Sequence, residues 1–331
     1  MATDSWLLQA TTNEFVHNIT PGGFLRGVRI LLSSLGGVAG TLTPDAPFIM
    51  LQSASIENID GSPILYPMNG YSYMLAIKYF MPWLGDPAKN YYYKTAVATP
   101  GWAIPLRVEI RNTAGVLANT DARAQYRVRY TLNTVTAVGT GYTTAPTVTG
   151  IEFMETYTQT DPTDLNGNQI QDLPDGLNIA RVIRHQFATL NNAGANNTVQ
   201  ITNTGNELRA LLLICRDSAG VRQDALSDPI RIRLDDRSLG VFSPDELFLK
   251  MHDFYEMLAN GTSLRETGVY VLPRFRDFGR ALGSFWLPTS NATYVLIEST
   301  TAAGISGPGT IEIITDEVIP VGPIPAELEG V

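Results

Sequence analysis

The densest run of oxygen-bearing side chains is Asp164-Leu-Asn166-Gly167-Asn168-Gln169-Ile170-Gln171-Asp172-Leu-Pro-Asp175. Alternate oxygens on a tight loop can converge on a hard cation such as calcium, at about 2.3–2.6 Å. Asp164, Asn166, Asn168, Asp172 and Asp175 have that alternation, with acids at the ninth and twelfth positions. The sixth position, where glycine usually makes the turn, is Gln169, and asparagine replaces aspartate at two ligand positions. The run is a calcium candidate on those five residues. Asn, Asp and Gly also collect in linkers because they turn well.

Other reactive types are sparse. His17, His185 and His252 are scattered without metal-ligand spacing. His185, in Arg181-Val-Ile-Arg184-His185-Gln186, reads as a strand or strand-edge residue, and His252 stands before Asp253 on a helix surface. Asp235-Asp236 imitates a carboxylate pair, but adjacent strand residues face opposite sides, so a turn is expected. Trp83, Tyr91, Tyr92 and Tyr93 have the ring content of a sugar-stacking platform; in a proline-containing loop such rings also serve as core or interface. Cys215, the one cysteine, follows Leu211-Leu-Leu-Ile214, which suits an inert core thiol and excludes an intrachain disulfide. No nucleophile elbow, phosphate loop or dinucleotide fingerprint is present. No catalytic residue and no organic cofactor are assigned.

The elements that carry these residues are mainly β. Tyr126, Val128, Tyr130 and Leu132 alternate with Arg127, Arg129, Thr131 and Asn133. Leu106, Val108 and Ile110 alternate with Arg107, Glu109 and Arg111, and Ile230, Ile232 and Leu234 with Arg231, Arg233 and Asp235. Each is the pattern of an antiparallel strand with one face in a core. Further strands are expected over 24–33, 47–58, 147–157, 197–203, 207–216, 268–274, 293–299 and 309–315. One helix is marked by Ser243-Pro244-Asp245-Glu246, a cap, a first-turn proline and a capping-box acid. Leu247, Met251, Phe254, Tyr255 and Leu258 would form its apolar face, with Gly261 as the stop. Tyr71–Met81 fits a second helix, and its aromatic content fits a strand as well.

Size and charge bound the function. At roughly 150 residues per domain, 331 residues suggest two domains, and 44% hydrophobic content is enough for sizeable cores. A net charge of -9, from 23 basic and 32 acidic residues, is the wrong sign for a nucleic-acid binder. Only four of the basic residues are lysine (Lys78, Lys89, Lys94 and Lys250); arginine dominance suits a chain with much partner contact, and equally a GC-rich genome. The N-terminus lacks a basic segment followed by an apolar one, and Tyr71–Leu84 is interrupted by Lys78 and Pro82. A soluble protein kept in a cytoplasm is expected, without a secretory signal or membrane span.

The polar stretch 161–178 is the expected linker between domains 1–160 and 179–331. Sliding the chain by 183 residues superposes Leu25 on Leu208, Arg26 on Arg209, Gly37 on Gly220, Val38 on Val221 and Asp45 on Asp228. Both stretches run from an apolar strand through a glycine loop to Asp and Pro and into another strand, so two copies of one β-sandwich are the economical reading.

With that organisation the chain resembles the double jelly-roll major capsid proteins of tailless, icosahedral, membrane-containing, tectivirus-like bacteriophages. The resemblance rests on Phe24-Leu-Arg-Gly-Val-Arg-Ile-Leu31, Ala46-Pro-Phe-Ile49 and Ile56-Glu-Asn-Ile-Asp-Gly61 in the first half. In the second it rests on Asn206–Cys215, Asp228–Leu234 and the helix from Ser243. It implies an all-β fold of two tandem jelly-roll sandwiches with a short helix in each. It also implies a homotrimer, a pseudo-hexagonal capsomer tiling a virion shell, with minor capsid or vertex proteins and an internal membrane as further partners. Synthesis would be in the host cytoplasm, and no direct nucleic-acid binding is expected. Met1–Thr20 and the proline-rich Val318–Val331 would be arms toward neighbours. The N-terminus is not a basic amphipathic helix, a departure that bears on lipid contact. The rival reading is a two-domain β-sandwich binding module, a virion spike or carbohydrate-binding protein, using Tyr91–Tyr93 and Trp102. A third is a β-sandwich hydrolase with no carboxylates that can be singled out.

Overall fold

A computed structural model describes residues 3–7, 14–110, 114–119, 123, 125–156, 166, 179–202, 205–255, 265–273, 286–289 and 292–320. The chain divides into two compact units between Val182 and Ile183. The expected linker, 161–178, lies outside the described residues apart from Asn166.

The first unit runs β1 (Thr3–Leu7), β2 (Glu14–Asn18), β3 (Phe24–Leu35), β4 (Thr41–Leu42), β5 (Leu51–Glu57), β6 (Pro63–Met68) and helix α1 (Gly70–Phe80). It continues with β7 (Gly101–Arg107), β8 (Leu117–Ala118), β9 (Arg127–Leu132), a short helix α2 (Val135–Val138), β10 (Gly139–Thr140) and β11 (Thr147–Thr156). One sheet has the order β1-β11-β3-β7 with β8 also on β3, and another run is β2-β9-β5-β6. The alternation in 126–133 becomes β9, with Val128, Tyr130 and Leu132 buried and the arginines between them half-exposed.

In the second unit the order is β12 (Ile179–Leu190, in this unit from Ile183), β13 (Asn196–Thr202), β14 (Glu207–Arg216), β15 (Leu226–Leu234), β16 (Arg237–Phe242) and helix α3 (Pro244–Phe254). Then come β17 (Val269–Pro273), β18 (Leu287–Pro288), β19 (Tyr294–Thr301) and β20 (Gly309–Pro320). The sheets read β12-β20-β14-β17, with β18 on β14, and β13-β19-β15-β16. Their inner faces bury Leu211, Leu213, Cys215, Ile230, Ile232, Ile297, Ile311 and Ile313 in one core.

Apart from β4, β10 and α2, the second unit repeats the first. In chain order β12 to β16 match β1, β2, β3, β5 and β6; α3 matches α1; β17 to β20 match β7, β8, β9 and β11, with the same neighbours inside each unit. The 183-residue offset superposes β3 on β14 and marks an irregularity common to both. The β3–β11 register skips Arg26, between Leu25 and Gly27. The β14–β20 register skips Arg209, between Leu208 and Ala210. Each arginine is the extra residue of a β-bulge, which bends the strand and re-aims its side chain.

Several expectations change. Tyr71–Met81 is helical because Asn69 caps the start, accepting from Ser72 N at 2.9 Å, and ten of the eleven helix residues are buried. A helix rich in aromatics is here a core helix, which explains why its sequence fits a strand too. The strand expected over 106–111 leaves the ladder after Arg107, since Val108 N and Glu109 N both turn to Arg26 O, at 3.1 and 3.3 Å. The 47–58 segment starts with a 3-10 turn, Phe48–Met50, before β5. Helix α3 has the expected cap, Ser243 Oγ accepting from Glu246 N at 3.1 Å, but ends at Phe254. The Glu246 carboxylate reaches forward to Lys250 at 2.7 Å. Asp235-Asp236 is the expected turn: Asp235 has φ +49 and its carboxylate accepts from Thr293 N and Tyr294 N.

Within Met1–Thr20, the implied arm, Thr3–Leu7 pairs with β11 and Glu14–Asn18 with β9. Five-residue strands are too short for periodicity to reveal them; the waiting sheet edges recruit them. Val318, the start of the other implied arm, is still in β20 opposite Glu207, and 321–331 lie outside the described residues.

Gly27, beside the first bulge, has φ +155, and a Cβ there would stand 2.3 Å from Leu106 O. Gly220 has φ +76 and open space. Gly27→Ala should therefore cost about 2–4 kcal/mol, strain plus overpacking, and Gly220→Ala about 1 kcal/mol from strain alone. Denaturant unfolding of both variants checks the ranking; equal losses would contradict it.

Candidate functional site

Two clusters of charge grow from the bulges. In the first unit Arg26 grips Glu109 with two parallel bonds, Nε to Oε2 at 2.8 Å and Nη2 to Oε1 at 2.9 Å. Arg107 spans Glu109 and Glu155, at 3.2 and 3.0 Å, Arg29 meets Glu155 at 2.9 Å, and Arg181 donates to Glu109 O at 3.1 Å. Burial lowers the Arg107 pKa, opposed by the Glu155 and Glu109 charges. In the second unit Arg209, fully buried, pairs with Asp316 on β20 and lies over the Trp286 ring. Arg184, Asn206 and Thr315 converge on Glu317, at 3.2, 2.6 and 2.7 Å. His185 Nε2 reaches Glu312 at 2.8 Å. Burial raises the Glu317 pKa, against the pull of its hydrogen bonds and Arg184. Carboxylates tied to arginines in this way position strands.

The remaining candidates separate. Of the calcium set only Asn166 is described; Asp164, Asn168, Asp172 and Asp175 lie outside the described residues. Among the described residues no group of three or more His, Cys, Asp or Glu could hold a metal. His17 stacks on Tyr130, and exposed His252 lies 3.4 Å from Asp253. Cys215 is fully buried, and burial pushes its thiol pKa well above the ordinary value.

The aromatic candidates divide into core and surface. Trp102 is 0% exposed on β7, edge-on to Phe48 at 4.6 Å, and Tyr93 stacks on the same Phe48 at 5.3 Å. Tyr91, 87% exposed, meets Tyr92 edge-to-face at 82°. The two rings are therefore crossed and do not form one continuous face. Beside them Ile77, Leu84, Asp86, Lys89, Asn90 and Pro105 line a cavity of about 320 Å³. Asp86 is already engaged there, by Ala88 N at 2.9 Å and Lys78 at 3.7 Å.

Sequence reading missed the bulge clusters. Their one trace is the superposition of Leu25-Arg26 on Leu208-Arg209; the acids they hold lie 83 and 107 positions away.

No protein-family model matches the chain, and no curated protein matches it. Solved structures do. The STIV MCP, from Sulfolobus Turreted Icosahedral Virus, superposes with a TM-score of 0.64 over 100% of both chains, at 11% identity. The fold is a double jelly roll. The Faustovirus major capsid protein matches with a TM-score of 0.59 and 10% identity over 96% of this chain and 89% of that one. The major capsid protein of bacteriophage PM2 gives 0.52 and 12%, over 96% and 97%. The double jelly roll thus accounts for the duplicated strand order and for the helix in each unit.

Trp102→Ala should destabilise by about 3–5 kcal/mol, while Tyr91→Ala leaves the melting temperature unchanged; thermal unfolding separates them. Asp224 forms a two-point pair with Arg265, at 2.9 and 2.7 Å. Burial raises its pKa, but the Arg265 bonds, the Gly268 N–H and the Arg265 charge together hold it below the ordinary 3.8. A depressed carboxyl stabilises above its unfolded pKa and loses that contribution as pH falls through the folded one. Asp224→Asn should therefore be less stable than the parent at pH 6, with the gap closing below pH 3.8; urea melts across pH test the sign.

Proposed function

We propose that the chain is a structural major capsid protein: it trimerises into pseudo-hexagonal capsomers that tile an icosahedral shell. The observation that carries this reading is the duplicated jelly roll, matched end to end by a viral major capsid protein. Rigid sandwiches of many short strands suit a shell, because their loops vary without disturbing the cores. The virion is its place of work and the host cytoplasm its place of synthesis. Minor capsid or vertex proteins and an internal membrane are its further proposed partners. Against the binding-module reading stand the burial of Trp102 and the crossed Tyr91 and Tyr92 rings. A role without catalysis fits acids that are tied to arginines.

At a net charge of -9 per chain, neighbouring capsomers repel at low salt. Assembly therefore needs salt, divalent cations or complementary minor proteins. Calcium at Asp164, Asn166, Asn168, Asp172 and Asp175 is the proposed cation site, on sequence pattern alone. Light scattering after size exclusion tests both ideas, with and without chelator. A species three times 36.1 kDa or far larger is expected. A single-chain mass in every buffer would overturn the capsid reading, and assembly indifferent to chelator would remove the calcium site.

A further inference from the structure

Among the described residues Tyr91, at 87%, is the most exposed large hydrophobic side chain. Tyr92 is exposed beside it, and the cavity of about 320 Å³ adjoins them, with Leu84, Pro87 and Pro105 in its wall and Lys89 and Asn90 at its polar side. Exposed rings next to an apolar hollow, rimmed by charge, mark a place where another chain docks. The charge here is of the scarce sign. Three of the four lysines, Lys78, Lys89 and Lys94, fall within 78–94, where Asp86 is the one acid. Lys78 lies 3.7 Å from that Asp86. Lys89 and Lys94 are exposed and have no carboxylate partner among the described residues.

The surface is held in shape before anything binds. Asn90 accepts from Tyr92 N at 3.1 Å, and Lys94 exchanges two backbone bonds with Gly101 at the start of β7, at 3.0 and 3.1 Å. Pro105, in the cavity wall, has no amide to offer, so an occupant is received by side chains and not by a ladder.

The chain carries a segment of matching chemistry. Residues 321–331, which follow β20, read Val-Gly-Pro-Ile-Pro-Ala-Glu-Leu-Glu-Gly-Val. With Pro320, prolines recur at 323 and 325 between Val321 and Ile324, and Glu327 and Glu329 follow with no basic residue. Closely spaced prolines cannot donate to a ladder; they suit an extended ridge that seats in aromatic-lined grooves. The other strongly acidic stretch without a basic residue, 161–178, has its prolines twelve positions apart, at 162 and 174, among mostly polar side chains.

We infer that the proline segment 321–325 of one copy seats against Tyr91, Tyr92 and the adjoining cavity of another, with Glu327 and Glu329 meeting Lys89 and Lys94. This rests on the capsid reading, which brings copies together, and names one surface through which they hold. A short segment that binds weakly alone gains from being presented by a neighbour at high effective concentration.

The test compares charge variants of the full chain by the concentration at half-assembly, read by light scattering. Glu327→Lys with Glu329→Lys makes a chain of net charge -9 less acidic. General repulsion alone would then let it assemble more readily. Docking requires the opposite, a concentration raised about tenfold as two attractions become repulsions. Lys89→Glu with Lys94→Glu should weaken assembly likewise, and joining all four changes should restore it. Melting temperatures equal to the parent's show that each variant is folded. Benzoylphenylalanine in place of Tyr91, photolysed in an assembled mixture of isotope-labelled and unlabelled chains, should cross-link to peptides of 321–331 bearing the other label. A less acidic Glu327→Lys, Glu329→Lys chain that assembles more readily, or cross-links that stay within one chain or reach other segments, overturns the docking and leaves the capsid reading standing. A parent that keeps single-chain mass at every concentration overturns that reading with it.

Discussion

A bulged arginine on the central strand of each first sheet is the constraint on which the other elements depend. At Arg26 the chain gains one residue over β11, and the freed carbonyl takes two successive amides, Val108 and Glu109. That turns the chain out of the β7 ladder and sets Glu109 against the Arg26 guanidinium. At Arg209 the same irregularity sends a fully buried guanidinium to Asp316. A bulge costs ladder bonds, and here ion pairs and redirected amides take their place.

Such clusters add less net stability than their number suggests. Taking charges out of water costs several kcal/mol per ion, and good geometry roughly offsets that. What they supply is register. A strand slipped by one residue would leave Arg209 or Glu317 buried without its partner, an expensive error. In the second unit the apolar rows Leu211, Leu213, Ile311 and Ile313 would tolerate slippage by two residues. The polar ties to Asp316 and Glu317 remove that freedom.

Inner faces of the sandwiches are closed by aliphatic side chains and core rings such as Trp102. At a net charge of -9 the chain repels other copies of itself wherever no cation is offered.

By itself the sequence determined the fold class, most strands, the capped start of α3 and the duplication, because period-two alternation, cap chemistry and a gapless repeat are local signals. It also decided that Cys215 is buried, from the apolar run before it. That α1 (Gly70–Phe80) is a helix came from its packing in the core, since an all-round apolar segment carries no period to read. Tertiary packing likewise puts Trp102 in the core, leaves Tyr93 half-buried against Phe48 and leaves Tyr91 on the surface, although the tyrosines look alike in the chain. The bulge clusters were out of reach for a physical reason. Arg26 and Glu109, or Arg209 and Asp316, are brought together by long-range strand pairing, and no local pattern encodes which acid a given arginine will meet.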